Sequence, residues 1–332
     1  MRFATIATIA TYFVGKALKR TICLLLGILA FYTILYLHAS CSFFSYIWNP
    51  QPYGHRLLTL NANLTQSSSN ATRFFHQTYK TDWIPDQWKE AHQSCLDLLA
   101  TESGWQYKLW TDEDGRNLIA EHYPKYLATF DSYPYAIQRA DALRYFILHH
   151  HGGIYMDLDV GCRGPFLLPL LANPVTLPQT QPIGFSNDVM ASAQPNHPFF
   201  TDLIAALPSH NHYWGTKYPT VFASTGPLFL SIRYGLSAWR EDVWIIPNEL
   251  YGNGPNSFFR HIRGNSWHGW DAVLILWFWK WGNHVLFVVA VLAVGGFLWR
   301  AFFRRLAHKT KRLKMVTVGL ETIYVDVAAK QL

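Results

Sequence analysis

The chain has 332 residues, 50% of them hydrophobic and 16% aromatic, with 28 Lys and Arg against 21 Asp and Glu. This length accommodates one catalytic domain with appendages. The net charge of +7 does not indicate a nucleic-acid partner, because the basic excess lies at the two ends of the chain. Residues 21–299 hold 16 basic and 19 acidic residues, so the basic patch that nucleic-acid binding requires is not expected on the folded domain.

The chain begins with a segment that predicts a membrane anchor. A basic cytosolic tail at 1–20 precedes an apolar stretch at 21–45, which contains no charged residue and is long enough to cross a bilayer. A cleaved signal peptide is the alternative, but we see no convincing small-residue cleavage site after the stretch. Residues 46–72 are predicted to form a lumenal stem. The stem contains two N-glycosylation sequons, at Asn63 and Asn70.

Strand-like and helix-like segments then alternate, which predicts an α/β domain at 73–270. Its first elements are a strand, a helix, a strand and a capped helix, predicted at Phe74–Thr78, Gln87–Glu102, Tyr107–Thr111 and Asp112–Glu121. A longer helix follows from Tyr135, and Gly152-Gly153 ends it, as glycine commonly does after a helix. Cys95 and Cys162 can form a disulfide in an oxidising compartment, although their spacing does not decide this.

The most informative segment is Tyr155–Val160, which places two carboxylates one residue apart. Side chains alternate between the two faces of a strand, so Ile154, Met156 and Leu158 are predicted to enter the core while Asp157 and Asp159 emerge together. Neighbouring carboxylates raise each other's proton affinity unless a cation lies between them. Such oxygen pairs suit Mg²⁺ or Mn²⁺, which usually keep open coordination positions for substrate phosphates. A solvated turn is the alternative interpretation.

Asp141 and Arg144 are three residues apart on the preceding helix and therefore share one of its faces. One interpretation is a surface ion pair of small energetic value. The other is a charged pair delivered to the sheet edge where ligands bind in α/β proteins. The run Ile137–Asp159, which contains both pairs, resembles the DXD core of the glycosyltransferase sugar-binding region. Yeast-type α-mannosyltransferases and the large clostridial glucosylating toxins share that region.

The wider chain is similar to one branch of this superfamily, the catalytic subunits of fungal mannosyl-inositol-phosphorylceramide synthases. The similarity runs from about residue 73 to 271. Besides the DXD core, its stretches are His76–Lys80, Trp110–Glu113, Phe130–Tyr135, Asp159–Cys162, Ser224–Pro227 and Gly264–Gly269. One departure is Gly269-Trp270-Asp271, where an acidic residue is expected before the aspartate.

This resemblance implies a Golgi mannosyltransferase with a Rossmann-like GT-A domain. GDP-mannose would be the donor, inositol phosphorylceramide the acceptor, and Mn²⁺ (or Mg²⁺) the cofactor, in a reaction that retains the anomeric configuration. It also implies a heteromer with a multi-span regulatory subunit that binds Ca²⁺. Asp157, Asp159 and His268 are the predicted metal ligands, and Asp141 and Arg144 are the predicted catalytic pair that orients mannose.

The remaining predicted site residues contact the donor. Ser266 and Trp267 precede His268 in the late element that closes over the diphosphate in this class. His76 and Gln77 lie at the end of the first predicted strand and Tyr79 just beyond it, where nucleotides bind in open sheets, with ordinary packing as the alternative.

The C-terminal part predicts a second attachment to the membrane. Residues 271–283 are too short to span a bilayer, and their Trp and Lys content suits an interfacial helix, with a core helix of the domain as the alternative. Residues 284–303 predict a transmembrane helix, and 304–332 a cytosolic tail. The basic flanks place both termini in the cytosol and the middle in the lumen.

Two other functions remain open. One is an N-glycan-elongating α-mannosyltransferase of the same superfamily, which the second predicted span disfavours because such enzymes usually resemble single-anchor proteins. The other is a non-catalytic membrane subunit that binds sphingolipid or a partner enzyme. The presence of all five predicted catalytic and metal-binding side chains argues against it.

Overall fold

The computed structural model describes residues 71–180, 184–262 and 269–300, with gaps in the last range at 279, 283, 286–288, 290–291, 293–294 and 297–298. The chain divides into two compact units, with the boundary between residues 267 and 268. The first anchor predicted at 21–45 and the stem up to residue 70, with Asn63 and Asn70, lie outside the described residues.

Strands and helices are interspersed along the first unit, which confirms the predicted α/β class. The strands are β1 (Phe74–Thr78), β2 (Gln106–Trp110), β3 (Gly153–Met156), β4 (Val160–Cys162), β5 (Val175–Pro178), β6 (Val189–Ser192), β7 (Val243–Ile246) and β8 (Phe259–His261). The helices are α1 (Asp86–Ala100), α2 (Asp112–His122), α3 (Pro124–Ser132), α4 (Ala136–His151), α5 (Leu167–Leu171), α6 (Pro198–His210), α7 (Lys217–Ser224), α8 (Pro227–Leu236) and α9 (Asn248–Tyr251), with a 3₁₀ turn at Arg240–Asp242.

Six strands form one mixed sheet in the order β2-β1-β3-β6-β5-β7. β1 pairs in parallel with β2 and β3, and β5 with β7, whereas β6 runs antiparallel to both β3 and β5. β4 and β8 form a separate antiparallel pair. β3 therefore lies in the middle of the large sheet, and the residues that follow it emerge between the ends of β1 and β6.

Both faces of the large sheet are covered, which explains the continuous apolar character of β3. Ile154 and Met156 join the apolar cluster that includes Phe75 and Cys95 of α1. Tyr155 points to the opposite face and joins the cluster that includes the buried side of α4. The prediction that Ile154 and Met156 enter the core is confirmed.

The local signals at helix ends are confirmed in detail. α2 begins with a capping box, in which Thr111 Oγ1 accepts from the Asp114 amide at 3.1 Å and Asp114 Oδ2 accepts from the Thr111 amide at 3.0 Å. α4 ends at Gly152, whose φ of 68° suits glycine and whose amide donates to the Leu148 carbonyl at 3.0 Å. A Cβ at Gly153, which has φ 86°, would collide with the Phe74 carbonyl oxygen on β1. The glycine pair thus both ends the helix and lets β3 approach β1.

The disulfide that the sequence left open is formed. Cys95 of α1 and Cys162 of β4 are bonded, with their Cα atoms 4.9 Å apart. Beside the bond, the Cys162 amide donates to Ser94 Oγ at 2.9 Å. The bridge closes a separation of 67 residues and fixes β4 against α1, three residues after Asp159.

The second unit is helical at the positions described between 270 and 300. Six consecutive apolar side chains, at 273–278, are between 38% and 68% exposed. Within the described part of the chain, none of the helices combines the length and the apolarity needed to cross a bilayer. The span predicted at 284–303 is described only at scattered positions up to 300, so it stays a prediction.

His76 of β1 links the strand to the end of α4 from inside the core. Its side chain is fully buried, its Nε2 donates to the Gly152 carbonyl at 3.0 Å, and its Nδ1 accepts from Trp110 Nε1 at 3.2 Å. These partners fix the neutral ring with its proton on Nε2. Burial lowers the pKa of His76 to about 3.

We expect the unfolding free energy to fall as the pH drops below 6.5, partly through His76. The unfolded chain binds the His76 proton near pH 6.5, but the folded chain binds it only near pH 3. The contribution of the neutral ring is therefore complete above pH 6.5 and decreases toward pH 3, by up to about 1.4 kcal/mol per pH unit. Denaturant titrations from pH 7 to pH 4 measure this slope.

The substitution His76→Gln should flatten that slope, because Gln does not titrate. The matched control is His212→Gln, at an exposed position after α6, which should leave the slope unchanged. Equal slopes in the wild-type and His76→Gln proteins would show that acid sensitivity has another source.

Candidate active site

The carboxylates of the DXD segment follow β3 rather than lying within it. β3 ends at Met156, and Asp157 to Asp159 form a turn in which the Val160 amide donates to the Asp157 carbonyl at 3.1 Å. The prediction that both side chains emerge from one strand is wrong, because the chain turns here from the large sheet into the β4–β8 pair. Leu158 is buried, as predicted, while Asp157 and Asp159 stay partly exposed.

Asp141 and Arg144 form a buried ion pair, so the surface interpretation is wrong. Arg144 Nη2 lies 2.9 Å from Asp141 Oδ1, and the two side chains are only 3% and 7% exposed. Arg144 Nη1 lies 3.1 Å from each carboxylate oxygen of Asp157. One guanidinium thus joins the predicted catalytic pair to the first carboxylate of the DXD segment.

Burial and charge together set the protonation of this group of side chains. Although burial disfavours its charged form, the nearby Asp157, Tyr155 and Asp141 raise the pKa of Arg144, which stays charged. Burial raises the pKa of Asp141 to about 6, and the opposing effect of Arg144 is the smaller one. With both carboxylates ionised, two negative charges share one buried positive charge.

Asp141 is held by residues that are far from it in the sequence. Asn187 Nδ2 donates to Asp141 Oδ1 at 3.0 Å, and Thr225 Oγ1 lies 3.5 Å from Asp141 Oδ2. Tyr145 in turn donates its hydroxyl to the Thr225 carbonyl at 2.7 Å. Thr225 belongs to the Ser224–Pro227 stretch, and this membership was the one sequence signal of a role for it.

Asp157 is held by a second chain of hydrogen bonds. The Tyr155 hydroxyl donates to Asp157 Oδ1 at 2.6 Å and lies 2.7 Å from Thr78 Oγ1 at the end of β1. The Asp157 amide donates to the Asp188 carbonyl at 2.8 Å, just before β6. The strands on both sides of β3 therefore fix the orientation of this carboxylate, and sequence reasoning missed Tyr155.

A third carboxylate, Asp188, lies near the DXD pair. Burial, followed by the charges of Asp157 and Asp188, raises the pKa of Asp159 to about 7. Burial also raises the pKa of Asp157, and the negative charge of Asp188 raises it further. These partly exposed oxygens fit a divalent cation, because hard oxygen ligands suit Mg²⁺ and Mn²⁺ and a cation removes the mutual repulsion.

The described residues contain no group of three or more His, Cys, Asp or Glu side chains arranged to hold a metal. This is compatible with Mg²⁺ or Mn²⁺ chemistry, in which one or two carboxylates act together with substrate phosphates. The predicted third ligand, His268, lies outside the described residues together with Ser266 and Trp267. The segment that carries them follows Ile262, whose amide donates to the Asp159 carbonyl at 2.8 Å.

The three predicted nucleotide contacts have different surroundings. His76 uses both ring nitrogens inside the core, so we correct its assignment from donor binding to structure. Gln77 is also buried, and its Oε1 accepts from the His92 ring at 2.8 Å, but its Nε2 has no partner among the described residues. Tyr79 is partly exposed just after β1, with its ring edge-on to Trp88. Donor contacts by Gln77 and Tyr79 stay predictions.

Replacing Arg144 by Ala should destabilise the protein by about 3–5 kcal/mol, because it leaves the buried carboxylates without their cation. Arg144→Lys should recover only part of this loss, since Lys lacks the rigid fork that reaches both partners. The measurement is the shift of the unfolding midpoint in denaturant at pH 7.5.

Arg116→Ala is the matched control for this experiment. Arg116 also donates from two nitrogens to one carboxylate, with Nε 2.9 Å from Asp131 Oδ1 and Nη2 2.8 Å from Asp131 Oδ2. Its side chain, however, is 51% exposed. Its removal should change stability far less. Similar losses in the two Ala variants would show that the Arg144 group behaves as a surface pair.

Comparison with known proteins agrees with this geometry. Residues 85–182 match the glycosyltransferase sugar-binding region containing the DXD motif. The chain is 47% identical over 238 residues to Inositol phosphoceramide mannosyltransferase 1 of Schizosaccharomyces pombe, an alignment that covers 70% of this chain and 74% of the relative. It is 44% identical over 243 residues to Mannosyl phosphorylinositol ceramide synthase SUR1 of Saccharomyces cerevisiae, covering 72% and 62%.

Among solved structures, PaToxG Glycosyltransferase aligns with a TM-score of 0.37 at 16% identity, over 52% of this chain and 70% of that one. The two curated relatives, in contrast, are similar over most of the described first unit. The chain therefore belongs to the glycosyltransferases with a DXD-containing sugar-binding region, in the branch of the inositol phosphoceramide mannosyltransferases.

Proposed function

We propose that this chain transfers mannose from GDP-mannose to inositol phosphoceramide with retention of the anomeric configuration. The observation that carries the proposal is the buried Arg144 that joins Asp141 to Asp157. The chain that contains it is 47% identical to Inositol phosphoceramide mannosyltransferase 1. A buried guanidinium shared by two carboxylates contributes little stability relative to apolar packing. Buried charges with perturbed pKa values cluster instead at functional sites.

In this proposal, Asp157 and Asp159 would hold Mn²⁺ (or Mg²⁺), with His268 as a further ligand. When bound, such a cation neutralises the charge that develops on the leaving diphosphate. Arg144 and the Tyr155 hydroxyl keep the Asp157 carboxylate in one orientation, since both bind its oxygens directly. The Asp157 carboxylate, the first proposed metal ligand, is therefore already oriented in the absence of a ligand.

The sugar and the nucleotide are assigned to the surrounding residues. Asp141, oriented by Asn187 and Thr225, would accept hydrogen bonds from mannose hydroxyls, and Arg144 would add a fixed positive charge near the diphosphate. The remaining proposed donor contacts are Gln77, Tyr79, Ser266 and Trp267. An acceptor hydroxyl that attacks from the side on which the diphosphate leaves retains the configuration without a protein nucleophile, through an oxocarbenium-like transition state.

We also propose that the chain works at the Golgi membrane, with domain 73–270 in the lumen between spans at 21–45 and 284–303. The exposed apolar side chains at 273–278 support contact of the predicted interfacial helix at 271–283 with the membrane, because a contiguous exposed apolar surface is unfavourable in water. A lipid acceptor would then reach the site without leaving the membrane. The proposal also includes N-glycans at Asn63 and Asn70 and a complex with a Ca²⁺-binding regulatory subunit.

The test is an assay of the purified full-length chain with GDP-mannose, inositol phosphoceramide and Mn²⁺. We expect a product heavier by one hexose, detected by mass spectrometry, and no product in EDTA. Asp157→Asn and Asp159→Asn should each lower the rate by about 100-fold or more, the scale of losing one electrostatic stabiliser of a transition state. Asp131→Asn, which alters an exposed carboxylate, is the matched control.

Transfer that persists in EDTA or in the double variant would exclude the metal-dependent mechanism. Transfer from GDP-mannose to an N-glycan oligosaccharide, but not to inositol phosphoceramide, would reassign the acceptor. Use of UDP-glucose or UDP-galactose at a higher rate would reassign the donor.

A further inference from the structure

The dipeptide Asn187-Asp188 occupies a position that the sheet register makes special. β6 pairs antiparallel with β3, and Val189 lies opposite Met156. One step further along this ladder, Asp188 lies opposite Asp157, and its carbonyl accepts the Asp157 amide at 2.8 Å. The dipeptide therefore continues the sheet to the point where the DXD turn begins.

Asn187 contacts both members of the proposed catalytic pair. Its carbonyl accepts from Arg144 Nη1 at 2.6 Å, and its side-chain amide donates to Asp141 Oδ1 at 3.0 Å. The same amide nitrogen lies 3.4 Å from the Tyr145 hydroxyl, and the residue is only 4% exposed. Asn187 thus binds the α4 side of the site through its carbonyl and its side-chain amide.

Asp188 reaches in the other direction, toward the end of the first unit. The Tyr251 hydroxyl, at the end of α9, lies 2.8 and 2.7 Å from its two carboxylate oxygens. His261 Nδ1, at the end of β8, lies 3.6 Å from Asp188 Oδ2. His261 Nε2 and the Tyr251 carbonyl are 2.8 Å apart, which joins these two partners to each other.

The same strand end also touches the DXD turn directly. Ile262, the residue after β8, donates its amide to the Asp159 carbonyl at 2.8 Å. The end of β8 is therefore held next to the DXD turn by the hydrogen bond between Ile262 and Asp159, and it places the His261 ring beside Asp188.

We propose that Asp188 is a positioning residue that couples α9 and the end of β8 to the metal-binding carboxylates, through its contacts with Tyr251 and Asp157 and the His261 ring beside it. Asn187 supplies the connection from this point to Asp141 and Arg144. The inference rests on the proposed function, in that Asp157 and Asp159 hold a divalent cation. It adds that the metal affinity depends on a carboxylate outside the DXD segment.

A purely structural role makes a different prediction for Asp188. Its charge lies near Asp157 and Asp159, and like charges in a partly buried cluster are unfavourable when no cation is present. Asp188→Asn removes that repulsion, and it also replaces one of the two carboxylate oxygens that the Tyr251 hydroxyl contacts. The metal-free variant should therefore be as stable as the wild type or more stable, whereas a structural role requires it to be less stable.

The experiment measures Mn²⁺ binding to the purified full-length chain by electron paramagnetic resonance of the free ion, without any donor. Asp188→Asn should raise the Kd for Mn²⁺ by about 10- to 100-fold, as changes in residues that orient metal ligands do. Tyr251→Phe, which retains the charge and removes the contact, should raise it in the same direction. The double variant should have a Kd for Mn²⁺ no higher than that of Asp188→Asn, because both changes disrupt the same contact between Asp188 and Tyr251.

Two matched variants control for the chemistry of each change. Asp202→Asn alters a carboxylate on α6 that accepts from Ser237 Oγ at 3.2 Å, and Tyr123→Phe removes a hydroxyl that lies 2.6 Å from His149 Nδ1. Both should leave the Kd for Mn²⁺ unchanged. Thermal unfolding of each metal-free protein provides the second readout.

An unchanged Kd in Asp188→Asn and Tyr251→Phe would overturn the inference. So would a Kd that rises only together with a lower unfolding temperature of the metal-free protein, or independent effects that add in the double variant. If Asp188→Asn does not fold, Tyr251→Phe decides the question alone by the same Kd measurement. A wild type that binds Mn²⁺ but transfers no mannose would contradict the proposed function and leave this test intact.

Discussion

The candidate site depends on one buried cation, the guanidinium of Arg144. It binds Asp141 on its own helix, Asp157 at the end of β3, and the carbonyl of Asn187 before β6. Because Arg presents its donors in a rigid planar fork, one side chain fixes acceptors from three separate segments at once. The α4 helix, the DXD turn and the start of β6 are therefore positioned relative to one another by a single group.

The single positive charge of Arg144 does not neutralise the carboxylates around it. Asp141, Asp157, Asp159 and Asp188 bring several carboxylates close to one guanidinium, and burial with mutual repulsion raises the pKa of Asp159 to about 7. Protein folds rarely concentrate like charges without a function that requires them, because the arrangement opposes stability. A divalent cation with a diphosphate is a ligand whose charge and hard-oxygen preference match such a set.

The order of the large sheet explains why these residues meet. β3 is central, so its end lies between β1, which supplies Thr78 to the Tyr155–Asp157 chain of hydrogen bonds, and β6, which is preceded by Asn187-Asp188. The Gly152-Gly153 turn allows the chain to pass directly from α4 to β3, because a side chain at Gly153 would collide with β1. The Cys95–Cys162 bridge then fixes the strand that follows the turn. Topology, more than any one motif, assembles the site.

Local spacing in the sequence determined the α/β class, the capped start of the helix at Asp112, the end of α4 at Gly152 and the shared helix face of Asp141 and Arg144. These features depend on residues within one or two turns of each other, so periodicity and turn chemistry are sufficient to predict them. The DXD segment was recognisable for the same reason, although its expected strand conformation was not, since where β3 ends depends on the partner strands.

Only the tertiary structure decided which of these faces is buried and what lies against it. Whether the Asp141–Arg144 face meets solvent or core, whether His76 binds a ligand or a carbonyl, and whether Cys95 meets Cys162 all depend on elements that are far apart in the chain. Asn187, Asp188 and Tyr251 carry no motif and no periodicity, so their approach to Asp141 and Asp157 was not encoded in any local pattern. It arises from the pairing of β6 with β3 and the placement of α9, because contacts across tens of residues are set by the packing of whole elements.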